Sequence, residues 1–226
     1  MIAEELQTLA AEAAGRAKKI AATVTPGIDA SHFKAKSKVI FKAVSYREVF
    51  AHRFADIAVS AAEALEAQRP VSTATLTRST LETMARTYEL QVRLDAFVLN
   101  PDIEDLNQFL MNRMFGARKS RGELPPAVNV LNAVDKANEF IPLFRHNYDR
   151  LSEFTHPNYL GGMGVFAIVD RKRDYVSFTD KTRCQKELVA AAHILIGTLH
   201  GFVVFYDHVG GTIDIMDRLL LAETNG

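Results

Sequence analysis

The sequence predicts an all-α fold, a helical bundle with a small β-hairpin inserted before its last long helix. Three observations carry this expectation. Apolar residues recur at spacings of three and four over most of the 226 residues, which is the period of a helix that buries one face. Pro and Gly punctuate the chain at intervals that leave helix-length segments between them. One stretch, "GGMGVFAIVDRKRDYVSFTD", breaks the period and reads as two short runs of β-branched and aromatic residues around a charged tip.

The first helix is expected near 2–23, where "TPG" stops it. The second runs from about Ser37 to Gln68, closed by "RP", and the third from about Ser72 to Val98, with Asn100-Pro101 as the break. Shorter helices are expected at about 102–114 and 126–140, on either side of the loop "GARKSRGELPP", and another at about 142–155. The hairpin occupies about 164–180. Helix returns over about 182–207, "HVGG" breaks it, and a short final helix follows. With 48% hydrophobic residues and no repeat, residues 1–226 read as a single helical domain.

Leu188 to Tyr206 carries no Asp, Glu, Lys or Arg and approaches the roughly 20 residues that span a bilayer. His193, Thr198 and His200 interrupt it and it stands alone, so a central helix buried on all sides is expected, with no membrane partner. The 27 basic and 27 acidic side chains cancel, which excludes a global field toward nucleic acid or lipid. The single cysteine, Cys184, reads as an inert thiol in a reducing, cytoplasmic setting. The start "MIAEELQTLAAEAAGRAKKI" carries acids early and helical spacing, unlike a signal peptide, and is read as mature protein.

Two stretches concentrate chemistry. In "RSTLETMAR", Arg78 and Glu82 stand four residues apart and can pair among largely apolar neighbours, which would demand a further hydrogen-bond partner. In "YDRLSEFTHPNY", Tyr148, Ser152 and His156 fall at i, i+4 and i+8 on one helix face. Pro157 should end that helix at His156 or just before it, which places His156 where the negative end of the dipole favours a protonated imidazole and suits proton transfer. Two readings stay open. Tyr148, Ser152 and His156 hydrogen-bond to Arg78 and Glu82 as a structural seam between packed helices, or they belong to a reactive site.

"RLSEFTH", with Arg150 and His156 separated by five residues, resembles the HEPN superfamily signature, an Arg followed by four to six residues and a His. The pairing of "RSTLE" with "YDRLSEFTHPN" is similar to an uncharacterised bacterial family placed near that superfamily, and the resemblance covers roughly residues 37–208. It implies a helical bundle, commonly a homodimer, acting as a metal-independent RNA-cutting toxin or defence nuclease or as an inactive binding module. "REVFAH", Arg47 to His52, satisfies the same spacing. On an ideal helix Arg150 and His156 lie about 120° apart and ~9 Å along the axis, so one site needs two copies. His156 would then take the proton of an RNA 2′-hydroxyl, and Arg150 would stabilise charge on the phosphate, leaving a 2′,3′-cyclic phosphate. Tyr148 and Ser152 would orient His156 or donate to phosphate, with Arg78 and Glu82 behind them.

RNA needs local basic surface. Residues 30–47 hold Lys34, Lys36, Lys38, Lys42 and Arg47 without an acid, and 113–121 hold Arg113, Arg118, Lys119 and Arg121. Solvated faces explain the same runs. No cofactor is expected. "EFTH", Glu153 to His156, has the Glu-x-x-His spacing of di-iron bundles but no second copy. His193 and His200 share a face, with His208 offset by ~80°, and read as core histidines rather than metal ligands. "GGMG" lacks the Lys of a phosphate loop. The alternatives to an RNA-acting protein are a non-enzymatic interaction module and, more weakly, a metal- or small-molecule-binding bundle. A cognate antitoxin would follow from a toxin role, and the sequence does not define one.

Overall fold

The computed structural model describes residues 2–35, 37–117, 124–178 and 184–224, the side chains of 223 and 224 excepted. It has the expected class. Helices α1 (Ile2–Ala21), α2 (Lys38–Glu66), α3 (Pro70–Leu99), α4 (Ile103–Phe115), α5 (Val130–Phe140) and α6 (Phe144–Thr155) precede a single turn, α7 (Met163–Phe166). Strands β1 (Ala167–Asp170) and β2 (Tyr175–Phe178) follow, then α8 (Gln185–Thr224). Helices α1, α2 and α3 all pack on α8, α4 closes one end against α2 and α3, and α5 and α6 lie on α3.

Local chemistry sets most boundaries. Ser37, Asp102 and Asn129 cap α2, α4 and α5 by accepting from the amides of Val39, Asp105 and Leu131. Helix α2 ends where Gln68 turns left-handed at φ 52°, and the amides of Gln68 and Arg69 close back onto Leu65 and Ala64. Pro70 then opens α3 two residues earlier than expected, because its fixed φ suits the first helical position. Helix α5 begins four residues later than expected, where Asn129 supplies the cap.

The final helix corrects the sequence reading. "HVGG" does not break it; α8 runs unbroken for 40 residues. Gly210 is there for close approach, since a Cβ on it would lie 2.8 Å from Arg47 Nη2 of α2. Gly201 likewise leaves room for the sulfur of Met84 on α3. By length and composition α8 could cross a membrane, and 44% of its most apolar window is buried. Nor is it buried on all sides, because His193, His200, Val203, Val204 and Ile215 share an exposed stripe.

Among the described residues most buried apolar side chains fall into two clusters. One joins α1, the second half of α2, the first half of α3, α5, α6 and α8 from Leu188 to Phe205, with Phe54 stacked on Phe202 at 3.8 Å between centroids. The other joins Val39–Tyr46 of α2, Leu90–Phe97 of α3, Leu106 and Leu110 of α4, and Val209–Leu220 of α8. On each of the three long helices polar residues lie between the clusters. Arg47 and Glu48 on α2, Arg86 and Glu89 on α3, and Tyr206 on α8 make a belt around the waist of the bundle.

The hairpin pairs Ala167 with Phe178 and Asp170 with Tyr175. Asp170 accepts from the amides of Lys172 and Arg173, which fixes the charged tip. Its apolar side chains are largely uncovered. Ile168, Val169, Tyr175, Val176 and Phe178 are exposed, and so are Tyr159, Leu160, Met163 and Phe166 just before them.

Candidate functional site

Helix α3 presents Arg78 and Glu82 toward α6, which carries Tyr148 on its buried face. Arg78 Nη2 lies 3.2 Å from Glu82 Oε1 and donates to the Tyr148 hydroxyl at 3.0 Å, which donates onward to Glu82 Oε1 at 3.0 Å. The triangle closes within one chain. Burial, reinforced by the Glu82 charge, raises the Tyr148 hydroxyl above its ordinary range despite Arg78. Tyr148 is therefore a neutral donor at neutral pH.

The expected stripe does not continue. Ser152 Oγ donates to its own helix, to the Tyr148 carbonyl at 2.8 Å, as a hydroxyl four residues on commonly does. His156 is the cap residue, with extended backbone at φ −84° and ψ 143° as Pro157 requires. Its imidazole is exposed, with no hydrogen bond or ion pair among the described residues. The seam between α3 and α6 thus contains Arg78, Glu82 and Tyr148, and neither Ser152 nor His156 reaches it.

Arg150 is also exposed and without an ion pair among the described residues. It borders a narrow crevice with Pro70 and Ala74 at the start of α3 and Glu187, Leu188 and Ile194 at the start of α8. Glu187 Oε2 is buried there without a hydrogen bond. Glu153 is taken up by Asn158, whose amide donates to it at 2.8 Å.

The second spacing match has a different fate. Arg47 lies 3.6 Å from the centroid of the Tyr206 ring, donates to the Tyr206 carbonyl at 3.1 Å, and pairs with Glu48 at 2.8 Å. The Tyr206 hydroxyl donates to both Glu48 oxygens at 2.9 Å. Burial, then the Glu48 hydrogen bond, push that hydroxyl up to about 12 against the pull of Arg47. His52 contacts the Thr25 carbonyl at 2.8 Å. Arg47 and His52 are both engaged in holding helices and loops together.

The basic residues are divided. Lys34 and Lys38 are exposed, and the backbone amide of Lys34 is tied to Asp217 near the end of α8. Lys42 Nζ is engaged by Asn107 of α4 at 2.5 Å. These lie at the α4 end of the bundle, whereas Arg150 lies at the start of α8. The 30 residues from Glu187 to Asp217 put roughly 45 Å between them at 1.5 Å per helical residue. Lys36, Arg118, Lys119 and Arg121 lie outside the described residues.

The histidine reading is corrected as well. His193 and His200 are exposed rather than core, and His193 bonds only to the Val189 carbonyl of its own helix. His208 pairs with Asp95 at 3.0 Å. Among the described residues no group of three or more His, Cys, Asp or Glu side chains is placed to hold a metal ion. Cys184 is buried.

The sequence reading missed a second charged centre in the belt. Arg86 donates to Glu89 at 2.7 Å and to the Val128 carbonyl at 2.8 Å, and Arg113 of α4 donates to both Glu89 oxygens at 2.5 and 3.0 Å. Burial alone would raise the Glu89 carboxyl, but hydrogen bonds from Arg113 and Arg86 outweigh it and hold it below its ordinary value. The i,i+3 spacing of Arg86 and Glu89 was a visible signal; the arrival of Arg113 from another helix was not. Comparison with protein-family models, curated proteins and solved structures gives no match.

Proposed function

We propose that the chain is a HEPN-like RNA-binding domain that, as a homodimer, cleaves the bound strand without a metal, using His156 as base and Arg150 as the phosphate-stabilising cation. The observation that supports this reading is the contrast between the two Arg–His spacings. Arg47 and His52 are engaged internally, while Arg150 and His156 on α6 are exposed and have no partner among the described residues. A solvent-facing arginine and histidine without internal partners are available to substrate. A second copy would bring one chain's Arg150 to the other's His156, and the exposed apolar hairpin that follows the motif is the surface it would cover. The neutral charge balance and lone buried cysteine suit a cytoplasmic setting.

Mixing two disabled variants tests this. Arg150→Ala and His156→Ala should each abolish chelator-resistant cleavage of single-stranded RNA, and an equimolar mixture should recover about a quarter of wild-type activity. Half of the dimers would be mixed, each with one restored composite site. Wild-type protein that leaves RNA intact in chelator and runs as a monomer at micromolar concentration sinks the proposal. A second reading, a non-enzymatic interaction module, is favoured by the Arg78–Glu82–Tyr148 triangle, whose members pair with one another within one chain and leave only Arg78 Nε buried without a partner. That reading takes over if the dimer forms but RNA is neither bound nor cut.

A further inference from the structure

The belt opens to solvent at a cleft of about 280 Å³ bordered by Tyr46, Phe50, Arg53, Arg86, Asn112 and Arg113. Its charge does not balance. Glu82, also at its edge, is paired with Arg78, and Glu89 behind it is shared by Arg86 and Arg113. Arg53 has no ion pair among the described residues. Arg86 and Arg113 line the cleft and share the single carboxylate of Glu89, which leaves a surplus of one positive charge among buried and half-buried groups, and Arg53, exposed at the rim, adds a second. Uncompensated charge away from bulk water is costly unless something anionic pairs with it.

A second observation is independent of charge. Tyr46 is only 3% exposed, and its hydroxyl, which has no hydrogen bond among the described residues, is not sealed in the core but borders the cleft. A donor so placed is open to a ligand. Arg86 donates from its two Nη atoms to Glu89 and Val128, and Arg113 donates from Nε and Nη2 to Glu89, which leaves Arg86 Nε and Arg113 Nη1 without a partner among the described residues and a second N–H on each engaged Nη. Glu89 and the Val128 carbonyl hold these planes in place, as an oxyanion site requires. Beside them the rings of Tyr46 and Phe50 pack at 4.4 Å between centroids and provide an apolar wall.

We infer that this cleft binds an oxyanion, a phosphomonoester carried on a small organic body, with Arg53 as the entry cation, Arg86 and Arg113 as fixed donors and Tyr46 as a hydroxyl donor. The volume is near the lower end of ligand pockets, about 300 Å³, which admits a nucleotide-sized molecule or less. The site shares no residue with the Arg150–His156 pair and stands whether or not that pair is catalytic.

The test is titration of the full chain with inorganic phosphate, nucleoside 5′-monophosphates and a short single-stranded RNA, at constant ionic strength in chloride, read by calorimetry and thermal midpoint. Saturable binding of phosphate or a monophosphate is expected. Arg53→Gln should weaken it about tenfold or more, the scale of a lost charge-assisted hydrogen bond, while the unliganded midpoint stays unchanged. Tyr46→Phe, which keeps the ring, should weaken it less. His156→Ala should bind like wild type, so failure of the cleavage proposal and failure of this one are separate results. Arg53-dependent binding of the monophosphate assigns a free ligand; Arg53-dependent binding of RNA alone assigns a backbone phosphate. No binding of any of the three, or equal binding by Arg53→Gln, overturns the inference.

Discussion

Glu89 shows how one side chain can hold one helix to another. Its carboxylate accepts from Arg86 of its own helix and Arg113 of α4, with 9% of its side chain exposed. Because its folded-state pKa is depressed, its contribution to stability is present above the unfolded value, about 4.3, and is lost as pH falls through the lower folded value. Glu89→Gln should therefore cost about 3 kcal/mol at pH 7, since it strands the buried guanidinium of Arg86 and the half-buried one of Arg113. Urea unfolding at pH 7 and pH 3 should show the gap from wild type narrowing in acid, and a gap independent of pH would remove Glu89 as its source. Little of this centre is legible along the chain, because Arg113 is 24 residues from Glu89. Arg78, Glu82 and Tyr148 were legible because helical period alone sets two of them on one face and burial demands the third. Ser152 and His156 shared that period but not that fate, one bonding back to its own helix and the other placed beyond its end by Pro157.

At the scale of elements, caps and prolines wrote most boundaries locally, and glycine was the misleading signal. In α8 the glycines are of two kinds. A Cβ at Gly197 would meet nothing within 4 Å, whereas at Gly210 it would strike a guanidinium already fixed by Glu48 and Tyr206. Gly197→Ala should accordingly stabilise the protein by about 0.4–1 kcal/mol. Gly210→Ala should destabilise it by about 1–3 kcal/mol despite the same gain in helix propensity. Thermal unfolding of the two variants side by side checks this, and equal shifts would show that Arg47 moves aside freely. No local rule distinguishes these glycines, since the difference lies in what α2 brings against α8.

For the whole molecule, the overall class followed from periodicity, while the division into two apolar clusters with a polar belt between them emerges only when α2, α3 and α8 are laid side by side. Each of those helices passes through both clusters, so neither cluster can lose its packing without unseating helices that the other needs. Native-state hydrogen exchange should show the α8 amides of 191–205 and 209–220 opening with the same free energy, that of global unfolding. Separate free energies for the two halves would mean that the belt is a seam along which the bundle divides. The hairpin stands outside this cooperative unit, and its geometry reaches beyond a single chain. Among the described residues β1 and β2 pair only with each other, and a symmetric pair formed through one strand consumes only one edge from each copy. Growth into a filament then depends on the remaining edge, and the charged tip from Asp170 to Asp174 is the built-in obstacle to such stacking.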